Sequence, residues 1–421
     1  MIKQPREISK IMTTITKAGY DVYCAGQCVM ASYVGDEPQD WDLYTNCPQD
    51  KLKALFENGE VIGSRVLRLD YTEEVLSEDL NVADHLEGVI ADIVTMNGTI
   101  EEQLGIYDFT AETIAENPQK PAIDLNGGVD DIKALLLKPA GDFEAAVKKD
   151  ALKMLKVIRY VALYNFDMTK QLSEIIVRNA DLLLEANRED ILFELMIIIN
   201  GKYAGKALKM IVGLNLLQVF VGPENTNISR RGMDEFETLA DNIHKLKQVP
   251  LRRLALMYMC FGKKAKDAVA YLPYEELDAE YLSEAEQQLA NLHFLSTDEK
   301  IKNYLYTYGW DKYNFMDKLA KAQAIVYDYN TLRIEGRGHL LEIILAERHP
   351  IFIEDLAIDA DDIIEAGITD DMERAEFLLT LLPDIVHKKP KHNDRKKLLE
   401  FAKKFNRNKF SRAFRNVTWL R

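Results

Sequence analysis

Gly26-Gln27-Cys28-Val29, then Gly35-Asp36-Glu37-Pro38-Gln39, then Asp40-Trp41-Asp42-Leu43-Tyr44-Thr45, spells out a strand, a turn, a helix, a turn and a strand. The apolar run Tyr20 to Ala25 stops at a glycine, a short helix follows, and Pro38 breaks the chain before the second strand. Residues two apart on a strand project to the same face, so Asp40 and Asp42 stand side by side. Carboxylates held this way repel unless a cation lies between them, and Mg²⁺ takes oxygen ligands of this kind. Gly26, opening a helix, leaves backbone N–H groups that can face a phosphate. These are the parts for metal-assisted transfer of a nucleotide.

Outward from this stretch, the first 117 or so residues alternate strand and helix signals. An amphipathic helix covers residues 5–18, Asp21 to Ala25 and Asp42 to Thr45 read as strands, and Pro48 to Asn58 reads as a helix. Val61 to Leu69 and Val89 to Met96 read as further strands, separated by the acidic stretch Glu73 to Glu87. After Pro121 and Gly127-Gly128 the periodicity is helical: Phe143 to Asn165, Thr169 to Asn179, Arg188 to Ile199, Lys202 to Val219, and onward through Thr297 to Tyr306, Asp311 to Tyr329 and Leu340 to Arg348. No repeat of fixed period is evident, which argues against a solenoid. The fold class is α+β, a small mixed-sheet head followed by a long all-α remainder.

With 421 residues, 47% hydrophobic and 29% charged, the composition is that of an ordinary globular chain with room for two to four domains. No basic and apolar signal pattern opens it and no apolar run approaches a membrane span, so a cytoplasmic protein with no membrane partner is expected. Cys24, Cys28, Cys47 and Cys260 lack Cys-x-x-Cys spacing and the seven histidines are scattered, which argues against zinc. The formal net charge of −15 is uneven. Thirteen Lys or Arg lie between His387 and Arg421 against only Asp394 and Glu400, a local net of +11, so the rest of the chain carries −26. Phe401, Phe405, Phe410, Phe414 and Trp419 interleave with these cations, reading as a helix with an apolar seam and a basic face. Such a patch is an electrostatic footprint for nucleic acid, and also describes a solvated terminal helix docked by its aromatics. The candidate RNA contacts are Lys388, Lys389, Lys391, Arg395, Lys396, Lys403, Lys404, Arg407, Lys409, Arg412 and Arg415.

Gly26, Val29, Gly35, Pro38, Asp40 and Asp42 fall in register with GGxVRD, a short helix and G-x-x-P-x-D-x-D, and the chain thereby resembles the class II tRNA nucleotidyltransferases and the bacterial poly(A) polymerases. Further along, Tyr107-Asp108-Phe109-Thr110 is similar to the family's RRDFT, Asp124 to Gly128 to its DPFGG turn, and Lys149 to Lys156 to its EDALRMLR helix; Ile353 to Ile368 is similar to its tail. The resemblance implies a nucleotidyltransferase head (residues 1–140), a base-reading helical neck (141–200), a body (201–310) and a tail (311–421), elongated in sum. It implies two-metal transfer of CMP or AMP from CTP or ATP to a tRNA 3′ hydroxyl, with Asp40 and Asp42 as shared Mg²⁺ ligands and Asp92, in the strand Val89 to Val94, as third acid. Gly26, Gln27, Asp108, Asp150, Lys153 and Lys156 are the implied nucleotide-binding positions. RNA, and tRNA above all, is the implied partner; no DNA is expected, and self-association stays open.

The departures form a pattern. Within GGxVRD the second Gly is Gln27, Arg is Met30 and Asp is Ala31; the Arg after the third-acid strand is Asn97. Both arginines before Asp108 are Ile106 and Tyr107, the Asn after DFTI is Glu112, and the neck helix carries Lys149, Lys153 and Lys156 for Glu and two arginines. Carboxylates that would hold metal stay, and arginines that would hold phosphate and base go. Arg presents a planar fork and Lys a single mobile ammonium, so the exchange is not conservative. Asp150 and Lys153 are read as i, i+3 neighbours on one helical face, able to offer a base one acceptor and one donor. Two readings remain open: an active nucleotidyltransferase divergent in its grip on nucleotide, and a pseudoenzyme acting as an RNA-binding or regulatory partner. The apolar helix Leu254 to Phe261 contains no His-Asp pair, so an HD phosphohydrolase site is not expected.

Overall fold

A computed structural model of the chain describes residues 2–76 and 83–407, and for residues 74–76 and 83–87 the backbone alone. The chain forms two compact units, Met1–Asn227 with Ala270–Tyr274, and Ile228–Val269 with Glu275–Arg421.

The first unit opens with helix α1 (Arg6–Lys17), strand β1 (Val22–Ala25), helix α2 (Gln27–Tyr33), strand β2 (Asp40–Thr45) and helix α3 (Gln49–Leu55). Strands β3 (Glu60–Ile62), β4 (Val66–Asp70), β5 (Glu73–Leu76), β6 (Ala83–Glu87) and β7 (Ile90–Thr95) follow, then helix α4 (Ile100–Leu104), strands β8 (Ile114–Asn117) and β9 (Lys120–Asp124), and helix α5 (Gly128–Lys133). Seven strands form one sheet in the order β3-β4-β7-β2-β1-β8-β9, while β5 and β6 pair apart as a hairpin. Only β2 and β7 run parallel within the seven. The sheet is therefore the mixed sheet that the strand signals led us to expect, with two differences. The apolar run at 61–69 is a hairpin bent at Gly63, whose φ of 67° suits glycine. Strands β8 and β9 were not foreseen; β8 is buried at all four positions, so it carries no alternation to read.

Alternation sorts the rest of the sheet into two faces. Trp41, Leu43, Leu67, Leu69, Ala91 and Ile93 are buried, with α1 packed on β1 and α3 on β4. On the opposite face Tyr23, Ala25 and Tyr44 pack with Ile100 and Leu104 of α4 and with Tyr107. This second apolar cluster covers one end of that face, and at the other end stand the charged residues of β2, β4 and β7.

Beyond the sheet, helices α6 (Phe143–Lys149), α7 (Lys153–Tyr164), α8 (Lys170–Asn179) and α9 (Arg188–Asn200) continue the first unit. The run expected as one helix from Phe143 to Asn165 is broken at Asp150, whose φ of −148° and ψ of 100° are extended. Its carboxylate accepts the Leu152 N–H at 3.0 Å, so a local side-chain bond replaces the helical one at the start of α7. The second unit is helical, with Arg230–Asn242, Pro250–Met259, Glu276–His293, Asp298–Tyr327 and Leu332–Ala346 among its helices. The break expected between Tyr306 and Asp311 is a kink inside Asp298–Tyr327, at Gly309 with φ 78°. Near its C-terminal end, Ile358, Ile363, Ala375, Leu378, Leu382 and Val386 form a core closed by Leu398 and Ala402 of the helix Arg395–Arg407.

Gly26 joins β1 to α2 at φ 79° and ψ −141°, a backbone state in which side-chain-bearing residues are strained. A Cβ there would overlap the Tyr107 hydroxyl and lie 2.7 Å from its Cζ. Gly26→Ala is expected to lose about 3 kcal/mol, from backbone strain and overlap together. A urea-unfolding midpoint unchanged in this variant would contradict the junction described.

Candidate active site

The acids of the candidate site are set by strand register. Asp40 and Asp42 share the face of β2 that Tyr44 continues, and Asp42 is the Cα partner of Asp92 on the parallel neighbour β7. On the far side of β7, Asp92 is the partner of Arg68 on β4, and Arg68 is the partner of Glu60 on β3. One row across four strands thus reads Glu60, Arg68, Asp92, Asp42. Asp40 is exposed and Asp42 half-buried. Burial, then repulsion from Asp92 and Asp40, pushes the Asp42 carboxyl up to about 6. Burial also raises Asp40, with Arg68 pulling the other way.

Asp92 stands beside Asp42, as the strand reading required, and it is engaged. Arg68 Nε donates to one Asp92 oxygen at 2.8 Å and Nη2 to the other at 2.7 Å, a fork on both carboxylate oxygens. Among the described residues no group of three or more His, Cys, Asp or Glu is arranged to hold a metal ion. The donor set of Asp40 and Asp42 nonetheless fits Mg²⁺, which is held through one or two carboxylates and completes its shell with water and substrate phosphates. A cation there would offset the repulsion that raises Asp42.

The glycine junction is covered by aromatic groups. The Tyr107 hydroxyl lies against Gly26 and pairs with the Tyr44 hydroxyl at 2.9 Å, so the residue standing for a lost arginine closes over the glycine. Gln27 docks α2 on α7, donating to Tyr164 at 3.2 Å and accepting from Tyr160 at 3.4 Å.

Asp108, Lys153 and Lys156 meet as one cluster, together with Glu112. Lys153 donates to both oxygens of Asp108 at 2.7 and 2.8 Å. Lys156 reaches Asp108 at 3.3 Å and Glu112 at 2.8 Å, and the Tyr160 hydroxyl donates to Glu112 at 2.7 Å. Glu112 is 1% exposed, and burying it without these partners would be costly. Two lysines and two acids thus compensate one another. The Lys156 ammonium also sits 5.6 Å from the Phe109 and Tyr160 ring centres. Asp150 does not join them: it is exposed at the break before α7, which corrects the expectation that it shares a helical face with Lys153.

Arg68, Tyr44, Glu112 and Tyr160 were missed as site residues by sequence reasoning. A lone arginine inside an apolar strand run was a signal for Arg68. Glu112 carried one too, as an acid in place of the family's Asn in a chain that also exchanged two arginines for lysines.

In the second unit, Lys388, Lys389, Lys391, Arg395, Lys396, Lys403, Lys404 and Arg407 are all exposed. Phe401 and Phe405 pack on the terminal core, as the apolar seam required. Arg395 is tied to Asp362 at 2.6 and 2.9 Å, and Lys404 lies 5.3 Å from the Phe401 ring centre. Lys409, Phe410, Arg412, Phe414, Arg415 and Trp419 lie outside the described residues. No described helix is long and apolar enough to cross a membrane.

No protein-family model matches the chain. It is 26% identical over 210 residues to the CCA-adding enzyme of Geobacillus thermodenitrificans, covering 49% of this chain and 52% of the relative. It is 23% identical over 252 residues to poly(A) polymerase I of Escherichia coli O6:H1, covering 56% and 54%. The chain thus spans about half the length of the curated relatives it matches. The crystal structure of the Bacillus stearothermophilus CCA-adding enzyme in complex with CTP superimposes with a TM-score of 0.75 at 18% identity, over 97% of this chain and 100% of the other. Sheet and helical remainder reproduce the fold of the CCA-adding enzyme, and about half of the chain is similar in sequence to CCA-adding enzymes and to a bacterial poly(A) polymerase.

Proposed function

We propose that the protein is an RNA 3′-end nucleotidyltransferase of the tRNA CCA-adding kind, moving CMP or AMP from CTP or ATP to a tRNA 3′ hydroxyl in the cytoplasm. The observation that carries this reading is the pair Asp40 and Asp42 on one strand face at the charged end of the sheet, with Asp42 driven up by burial and by its acidic neighbours. Four free, buried cysteines suit a reducing compartment. In this reading residues 1–140 form the head, 141–200 the neck, 201–310 the body and 311–421 the tail.

The chemistry joins the 3′ oxygen of RNA to the α-phosphorus while the bond from that phosphorus to the bridging oxygen breaks and pyrophosphate leaves. Asp40 and Asp42 would hold Mg²⁺, which supplies charge neutralisation for the triphosphate and acidifies the attacking hydroxyl. The half-buried setting of Asp42 lowers the local dielectric and strengthens its hold on a cation. The Tyr107 hydroxyl lies over Gly26 and pairs with that of Tyr44, and the two would be the hydrogen-bonding groups offered to a phosphate there. Asp108, Lys153 and Lys156 would form the wall against the base.

The second reading, a pseudoenzyme that binds RNA or a regulatory partner, is favoured by one observation: Lys153 and Lys156 are held by Asp108 and Glu112. A nucleotide carries about four negative charges, and every charge-assisted hydrogen bond that an arginine no longer makes is worth roughly 1.5–3 kcal/mol. Purified protein, a 3′-truncated tRNA, Mg²⁺ and each labelled NTP in turn separate the two readings. Incorporation supports the first; tRNA binding without incorporation supports the second.

Asp42→Ala is expected to abolish incorporation and Mg²⁺-dependent NTP binding while the circular dichroism spectrum stays that of the parent. Retained incorporation would remove Asp42 from the site.

Because the α7 lysines are engaged by Asp108 and Glu112, discrimination between CTP and ATP is expected to stay within about tenfold, roughly 1.4 kcal/mol. Single-turnover incorporation of each nucleotide onto matched tRNA ends measures it; sharp, stepwise completion of CCA would contradict this account of α7.

The basic C-terminal helix is tested without deleting it, since Leu398 and Ala402 close a core. Lys396→Gln, Lys403→Gln, Lys404→Gln and Arg407→Gln combined should weaken tRNA binding. The slope of log affinity against log salt should flatten by roughly 0.7–0.9 for each phosphate that is no longer neutralised. Unchanged affinity and slope would leave the helix a structural cap.

A further inference from the structure

The row Glu60, Arg68, Asp92, Asp42 crosses β3, β4, β7 and β2, and Arg68 is the one cation in it. Asp40 and Asp70 add negative charge nearby, since both act electrostatically with Arg68. Four acids, Asp92, Asp40, Glu60 and Asp70, act on this single guanidinium, and it does not sit loosely among them. It grips Asp92 through two parallel bonds at 2.7 and 2.8 Å, which occupy both oxygens of the carboxylate closest in register to Asp42. A planar fork on both oxygens takes one lone pair from each and offsets the charge of the carboxylate, which weakens Asp92 as a metal ligand.

We propose that Arg68 is a positioning residue that withholds Asp92 from the cation site, so that the head binds one divalent cation through Asp40 and Asp42 and carries its second positive charge as a fixed guanidinium. The inference rests on the cation site proposed above. Its physical basis is charge balance. With Arg68 in place, the three carboxylates Asp40, Asp42 and Asp92 share one built-in cation and need one more. Without it, three acids converge on one sheet face with nothing between them, and a second metal becomes the readiest neutralisation.

The test counts cations. Mn²⁺ binding to the full chain is measured by titration calorimetry with a non-hydrolysable CTP or ATP analogue present, and by electron paramagnetic resonance for spin coupling between neighbouring ions. The parent chain is expected to bind one Mn²⁺ with no coupling. Arg68→Met, which keeps the apolar stem and removes the charge, is expected to bind two and to show a coupled signal. Arg68→Met combined with Asp92→Asn, which removes the freed acid and stays neutral, should return to one uncoupled ion; it also serves if the single variant fails to fold, because two ions there would equally refute the role of Asp92. Two ions in the parent, or one in a folded Arg68→Met, overturns the proposal while the catalytic reading stands. No Mn²⁺ in the parent, or binding indifferent to Asp42→Asn, instead overturns the cation site itself.

Discussion

Like charge held at close range on one face of a sheet shapes everything around it in this protein. Strand geometry puts Asp40 and Asp42 on the same side, and parallel pairing brings Asp92 alongside. Left alone, these carboxylates would destabilise the sheet that carries them. The fold meets the repulsion in two ways, a built-in guanidinium on Asp92 and, at Asp42, a carboxyl raised toward neutrality that a cation could discharge. The surroundings are consistent with an arrangement made to hold charge and not to hide it, since the neighbouring apolar cluster of Tyr23, Tyr44 and α4 covers only one end of the face.

A second balance, at the start of α7, is of the opposite kind. Lys153, Lys156, Asp108 and Glu112 neutralise one another largely out of water, with Tyr160 completing the hydrogen bonds of Glu112. Such a network ties the sheet to the first long helices, because removing one member would leave another charge buried and unpaired. It also uses the ammonium groups that would otherwise face an anion. The exchange of arginines for lysines is therefore coupled to the appearance of Glu112 and Tyr107: a chain without phosphate-gripping forks fills the space with a phenol over Gly26 and an acid against Lys156.

In the second unit a comparable division appears at the surface. The helix Arg395–Arg407 uses Leu398 and Ala402 to close a core and Arg395 to clip Asp362, and presents its remaining cations outward. Structural and electrostatic roles fall on two faces of one helix, which is why the two readings of this segment never excluded each other. Positive charge concentrated there, in a chain that is otherwise strongly acidic, is what supports the proposal that a polyanion approaches this helix.

Local patterning was enough to establish the strand-helix-strand around Gly26, the face shared by Asp40 and Asp42, the helical remainder, the break at Gly309 and the amphipathic basic helix. Each of these follows from period-two or period-3.6 alternation and from the conformations glycine and proline allow. Which charges meet was settled in three dimensions alone. Arg68 and Asp92 are 24 residues apart, Glu112 and Tyr160 are 48, and their pairing depends on strand order and on the break at Asp150, neither of which any local pattern encodes. Long-range register turned a third acid into one half of an ion pair and turned two base-facing lysines into counter-ions, because a buried charge takes the nearest partner the fold supplies.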